Sequence, residues 1–104
     1  VLVIVWEFRV RPGAEEAFER AYGPEGDWER LFARGEGWLG TELLRDAEGG
    51  GRYLTVDRWA SAQAYAAFRA AHGAAYEAVD GRCGALTVEE RLVGRFGRPA
   101  GPAS

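Results

Sequence analysis

Residues 52–65 read Arg-Tyr-Leu-Thr-Val-Asp-Arg-Trp-Ala-Ser-Ala-Gln-Ala-Tyr. The first part alternates polar with apolar or aromatic side chains, as a half-buried strand does. It ends on Trp59, and two residues later Ser61 sits where a helix N-cap belongs, ahead of an alanine-rich run. A strand that turns so abruptly into a helix fixes a bulky, amphipathic ring at the corner, where it can wall a pocket.

The rest of the chain fits around this unit. Residues 1–10 are rich in β-branched and aromatic groups and predict strand one, stopped by Pro12-Gly13. Residues 14–22 repeat apolar positions at helical spacing, with Glu15 and Glu16 near the start, where the helix dipole favours anions. Gly23-Pro24 ends that helix. Asp27 is placed to cap a second, short helix that buries Trp28, Leu31 and Phe32. Residues 38–44 predict strand two, and the glycine-rich loop 46–51 predicts a hairpin into strand three, 53–59. Helix three is expected from Ser61 to about Gly73, resuming through Tyr76 to Val79, with Arg82-Cys83-Gly84 as a connector. Residues 86–96 predict a long strand four, and 98–104 a flexible tail beyond a single domain of residues 1–97.

This order, βααββαβ, predicts an α+β, ferredoxin-like domain: a four-stranded antiparallel sheet with helices on one face. The other face should then be polar, yet both faces of the predicted strands carry apolar groups. Leu54 and Val56 lie on one side of strand three, and Tyr53, Thr55, Asp57 and Trp59 on the other. A second copy covering the free face would resolve this, giving a homodimer with a barrel-like interior between two sheets.

Composition narrows the partners. The net charge is −3, and the 13 basic residues, all arginine, are scattered. Nucleic acid and anionic membranes are therefore poor default partners. One cysteine, Cys83, excludes an intrachain disulfide and suits a reducing cytoplasm. The apolar start of the chain reaches Glu7 too soon for a signal peptide or a membrane span. A single His and a single Cys give poor ligand spacing for zinc or iron, so no metal is expected.

Three segments together carry a resemblance: Phe-Arg-Val-Arg-Pro-Gly-Ala-Glu-Glu-Ala-Phe at 8–18, Gly-Trp-Leu-Gly-Thr-Glu-Leu-Leu at 37–44, and Arg-Trp-Ala-Ser-Ala-Gln-Ala-Tyr at 58–65. They are similar to the antibiotic biosynthesis monooxygenase family of the dimeric α+β barrel superfamily. The resemblance implies a homodimer with one pocket per subunit, between sheet and helices. It also implies cofactor-free oxygenation of an aromatic, phenolic or quinol-like small molecule, or, in other relatives, haem degradation. Trp59 matches the family's tryptophan at the end of the third strand. The chain has no asparagine, which haem-degrading relatives place in strand one, and so it departs from that branch.

Cofactor-free oxygenation asks for a dry aromatic pocket, a proton acceptor and a hydrogen-bond donor to the oxyanion. The acceptor candidates are His72 and Asp57. His72 is the one side chain with an ordinary pKa near neutrality, though at a helix end it can be merely structural. Asp57 would be a base if buried toward a dimer interior, or else the partner of a neighbouring-strand arginine. Tyr65 is the donor candidate. Trp59, Phe68, Trp38 and Arg9 are candidates for holding the substrate, Arg9 through an anionic group. Tyr65, Phe68, His72 and Tyr76 would share one helix face. Cys83 is expected to be buried and inert. The same scaffold could instead serve as a non-catalytic small hydrophobic ligand-binding dimeric barrel, or carry out an isomerase or cyclase reaction. A titratable group opening into the pocket would favour an enzyme, and a wholly apolar pocket a binding protein.

Overall fold

The computed structural model describes residues 1–99. Strands β1 (Leu2–Val10), β2 (Trp38–Arg45), β3 (Arg52–Trp59) and β4 (Thr87–Gly97) form one antiparallel sheet in the order β2-β3-β1-β4. Helices α1 (Glu15–Tyr22), α2 (Asp27–Phe32), α3 (Ala62–Ala71) and α4 (Gly73–Cys83) are joined to the sheet by short loops and a 3-10 turn, Gly84–Leu86. This is the ferredoxin-like α+β arrangement expected from the order of elements. Of the expected tail, residues 98 and 99 have no regular structure, and 100–104 lie outside the described residues.

The strands alternate as their sequences require. Tyr53, Thr55, Asp57 and Trp59 of β3 point toward the helices and are buried, as are Ile4, Phe8 and Val10 of β1. Phe18 and Tyr22 of α1 stack on each other with ring centroids 4.1 Å apart, over Phe8 and Tyr53. Trp59 is fully buried at the strand–helix corner, among Phe32 of α2 and Tyr65 and Phe68 of α3, with centroids 4.9 to 5.6 Å away. A Cβ on Gly35 would come within 2.8 Å of the indole, so the loop after α2 closes over this ring only because Gly35 has no side chain. Ser61 accepts a hydrogen bond from the Ala64 amide at 3.0 Å and caps α3. The turn between β2 and β3 carries Gly49, Gly50 and Gly51 at positive φ, as its composition predicts.

Two local expectations are corrected. Asp27 is the first residue of α2, not its cap; Gly26 holds the cap position, and the Asp27 carboxylate instead takes Arg30 at 3.4 Å and Arg82 at 3.3 Å. The break between helices falls at His72, whose backbone (φ −123°, ψ 25°) leaves the helical region, and α4 then runs on through Arg82 and Cys83. The expected interruption, between about Gly73 and Tyr76, is therefore shorter and one residue earlier, because a single non-helical residue leaves no mark in an alanine-rich pattern. Cys83 is buried, and its burial raises the thiol's pKa. No helix of the described residues is long and apolar enough to cross a membrane.

Trp59→Ala should cost about 3–5 kcal/mol, a large aromatic removed from a closed core. Ser61→Ala should cost only about 1 kcal/mol, the usual worth of an N-cap. Urea denaturation measures both; similar small losses would show that the corner is not a packing anchor.

Candidate active site

The helix-facing side of the sheet is not filled everywhere. Between β1, β3 and the pair α2/α4 lies a cavity of about 270 Å³. Trp6 and Phe8 of β1, Tyr22 of α1, Trp28 and Phe32 of α2 and Tyr76 of α4 form its walls. Trp28 and Tyr76 meet edge to face at 5.0 Å. Thr41, Thr55 and Asp57 supply polar atoms from the sheet, while Arg69, Glu77, Asp80 and Glu90 reach it from α3, α4 and β4. The space is of a size to take a small aromatic molecule.

Asp57 is the central group. It is 7% exposed and faces the helices because Trp59, two residues on, does so too. Thr41 lies directly across from it in the β2–β3 register, and the Thr41 hydroxyl donates to Asp57 Oδ1 at 3.0 Å. The indole N–H of Trp38 donates in turn to Thr41 Oγ1 at 3.1 Å. An indole nitrogen can only donate, so the Thr41 proton is directed to the carboxylate. Trp38 and Thr41 share a face although they are three residues apart, because a β-bulge at Gly40 (φ 150°) inserts an extra residue. Burial pushes the Asp57 pKa from 3.8 up to about 6; the Thr41 hydrogen bond pulls the other way, and the nearby Glu29 carboxylate adds to the rise. Asp57 Oδ2 accepts no hydrogen bond from the described residues.

The sequence candidates disperse around this centre. Asp57 lines the cavity, and it does so inside one subunit, between sheet and helices, with Thr41 as its partner and not an arginine. Trp38 stands one hydrogen bond behind it. Tyr65 is at the edge, where its hydroxyl accepts from Arg69 at 3.1 Å, and the Arg69 guanidinium lies over the Tyr76 ring at 3.7 Å. Trp59 and Phe68 are packed in the core beside the cavity and do not line it. His72 sits at the α3/α4 junction with its ring 5.4 Å from Phe68, away from the lining. The helix break at His72 also divides the expected face: Tyr65 and Phe68 turn to Trp59, and Tyr76 to Trp28. Arg9 is on the opposite face of the sheet, 3.8 Å from Glu89. Glu7 on that face is held by Arg52 at 2.6 Å and Arg91 at 2.5 Å. Among the described residues no cluster of His, Cys, Asp and Glu is arranged to hold a metal ion.

Thr41, Trp6 and Trp28 were not singled out for the site from sequence. Thr41 was within reach of sequence reasoning, since the hairpin register alone, unbroken from the turn to Gly40, sets it opposite Asp57. Trp6 and Trp28 carry no local signal that separates a cavity wall from a core residue.

The family model described as antibiotic biosynthesis monooxygenase matches residues 1–78. No curated protein matches the chain. Among solved structures, a mutant of SnoaB, a cofactor-independent oxygenase from Streptomyces nogalater, aligns with a TM-score of 0.73 at 25% identity, over 97% of this chain and 96% of that one. A candidate antibiotic biosynthesis monooxygenase from Nitrosomonas europaea aligns with a TM-score of 0.73 at 19% identity, over 94% of this chain and 98% of that one. Rv0793 from Mycobacterium tuberculosis aligns with a TM-score of 0.68 at 19% identity, over 99% and 98% of the two chains.

The raised Asp57 pKa has a consequence for stability. Below about pH 3.8 the carboxyl is neutral in both folded and unfolded chains and costs nothing. Between pH 3.8 and about 6 the unfolded chain ionises first, so the folded state loses stability as pH rises. A shift of about two units corresponds to about 3 kcal/mol. Asp57→Asn, which keeps an acceptor for Thr41, should therefore match the parent near pH 3.5 and exceed it in stability at pH 7. Urea melts at the two pH values test this; a gain that does not grow with pH would mean the carboxyl is not desolvated.

Proposed function

The chain belongs to the antibiotic biosynthesis monooxygenase family, and on that footing we propose that it is a cofactor-independent monooxygenase of an aromatic, phenolic or quinol-like small molecule, with Asp57 as its base. The observation that carries this is a buried carboxylate of raised pKa opening into an aromatic-walled cavity. A purely apolar cavity would have favoured a binding protein. The cofactor-independent oxygenase SnoaB, on the same fold, is a precedent for chemistry with the protein alone.

The chemistry follows from these groups. A base with a pKa of about 6 is mostly ionised at neutral pH, yet still a competent acceptor. Asp57 Oδ2 takes a proton from the substrate, and the carbanion or phenolate that remains is held between Trp6, Trp28 and Tyr76. One electron passes to O₂, and the substrate radical and superoxide combine, forming a C–O bond. Loss of water from the resulting hydroperoxide breaks the O–O bond and leaves one oxygen atom on carbon as a carbonyl. The substrate supplies all four electrons, so a CH₂ of an activated ring and O₂ become C=O and H₂O. Thr41, fixed by Trp38, keeps the carboxylate in place and can stabilise its negative charge between turnovers.

The second sheet face supports a homodimer. Leu44, Val88 and Phe96 are 44 to 51% exposed, and Val3, Val5, Leu54 and Val56 lie half-buried among them. An apolar sheet face of this extent is the sort that a second copy covers by two-fold symmetry. The subunit cavity lies on the other side of the sheet, so each protomer would keep its own site. The protein is read as acting in the cytoplasm, in keeping with its single thiol.

Oxygen uptake with a panel of quinols and anthrone-like phenols should rise through about pH 6 and level off above it. Asp57→Asn should lower kcat/KM by about 10²–10⁴-fold, and His72→Phe should leave it within about twofold of the parent. Full activity in Asp57→Asn would reject the assignment. Light scattering should give about twice 11.4 kDa, and Val56→Glu should bring the mass to that of a single chain; a monomeric parent rejects the dimer.

A further inference from the structure

The cavity's lining is acidic on balance. It includes the carboxylates Asp57, Glu77, Asp80 and Glu90 against one cation, Arg69. Elsewhere Glu7, Glu16, Glu19, Asp27, Glu42, Asp46 and Glu89 each stand within 4.0 Å of an arginine, while Glu15, Glu25, Glu29, Glu36 and Glu48, which do not line the cavity, have no such partner among the described residues. Glu77, Asp80 and Glu90 have no such partner among the described residues, and neither does Asp57. Arg69, bonded to the Tyr65 hydroxyl and stacked over the Tyr76 ring, keeps its charge but is a single cation against four carboxylates, so the lining stays negative on balance. Their field is felt inside: Asp80 raises the pKa values of Tyr22, Tyr76 and Glu90. In each case it acts alongside desolvation, which is the larger cause.

The walls repeat the same preference. The faces of Trp6, Trp28, Tyr22 and Tyr76 carry the negative side of the aromatic quadrupole and attract cations. One such contact is already made, by Arg69 over Tyr76 at 3.7 Å. At the far end Asp57, more than nine-tenths buried, leaves Oδ2 without a hydrogen bond. A carboxylate-bearing guest would bring like charge into a partly enclosed, poorly solvated space. A protonated amine would find both the unpaired carboxylates and the ring faces.

We propose that the substrate of this site is an aromatic compound bearing a protonated amine, and that Asp80 and Glu90 select it over carboxylate-bearing aromatics of the same shape. This rests on the cavity being the substrate site proposed above, and it concerns charge and not reaction type. Asp80 and Glu90 act at the rim, apart from the proton transfer assigned to Asp57.

The test is a set of matched probes of one ring system: naphthylmethylamine, naphthylmethanol and naphthoate, titrated by tryptophan fluorescence and calorimetry at pH 7 and low salt. The amine should bind most tightly and naphthoate most weakly, with about tenfold between them at about 10 mM salt and less at 0.5 M, where screening is strong. Asp80→Asn combined with Glu90→Gln should bring the three affinities within about twofold, with the thermal midpoint used to confirm that the variant is folded. Equal binding of the three probes by the parent, tighter binding of naphthoate, or an unchanged order in the double variant would overturn the charge preference. Failure of every probe to bind would overturn the cavity itself as the substrate site. The expected order without any oxygen uptake would uphold the preference and reject the monooxygenase.

Discussion

Everything at the site depends on the indole of Trp59 being closed inside the corner between β3 and α3. Alternation along a strand allows no compromise: once Trp59 is buried toward the helices, Asp57 and Thr55 point the same way. The contact with Gly35, Phe32 and Phe68 thus positions a carboxylate two residues away that the indole does not touch. A slip of one residue would carry Asp57 to the open face, where a carboxylate is solvated and has an ordinary pKa. Trp59 is therefore a positioning residue, and its fixed place explains how a core aromatic can govern a neighbouring site without lining it.

Asp57 itself is a local loss to the fold. A desolvated carboxylate with one hydrogen bond is held at a cost that an apolar or amide side chain would avoid. The surroundings moderate that cost without removing it, since Thr41, itself held by Trp38, satisfies one oxygen and leaves the other without a hydrogen bond from the described residues. The sheet even carries a bulge at Gly40 that brings Trp38 and Thr41 onto one face. A group that destabilises the fold and is nonetheless supported by its neighbours is what a base tuned toward neutrality requires.

The architecture was legible in the sequence because each signal was local. Alternation marked the strands, Ser61 marked the start of α3, and the glycine run marked the hairpin. The site was less legible because it is assembled across elements. Asp57 could be placed on the correct side of β3, but the side had no identity until the helices were seen to cover it. His72 attracted attention by its chemistry, and its location at a helix junction keeps it off the cavity lining. Glu77 and Asp80 are less legible for a different reason: Asp80 falls just past the predicted helix end at Val79, and both carboxylates gain meaning only with Glu90 of β4 at the same cavity.

The two faces of the sheet also divide the labour of charge. On the open face, Glu7 is paired with Arg52 and Arg91, and Arg9 with Glu89, so the polar groups among the apolar side chains are already neutralised before any partner arrives. A neutralised, partly apolar surface can be covered at small electrostatic cost, because no isolated charge must be stripped of water. On the helix-covered face the carboxylates are left uncompensated around a hollow, where their field acts at short range on whatever enters. The same chain thus cancels charge where a broad surface would pack against its like and keeps charge where a small molecule would be chosen, and both arrangements follow from which side of a strand each residue falls on.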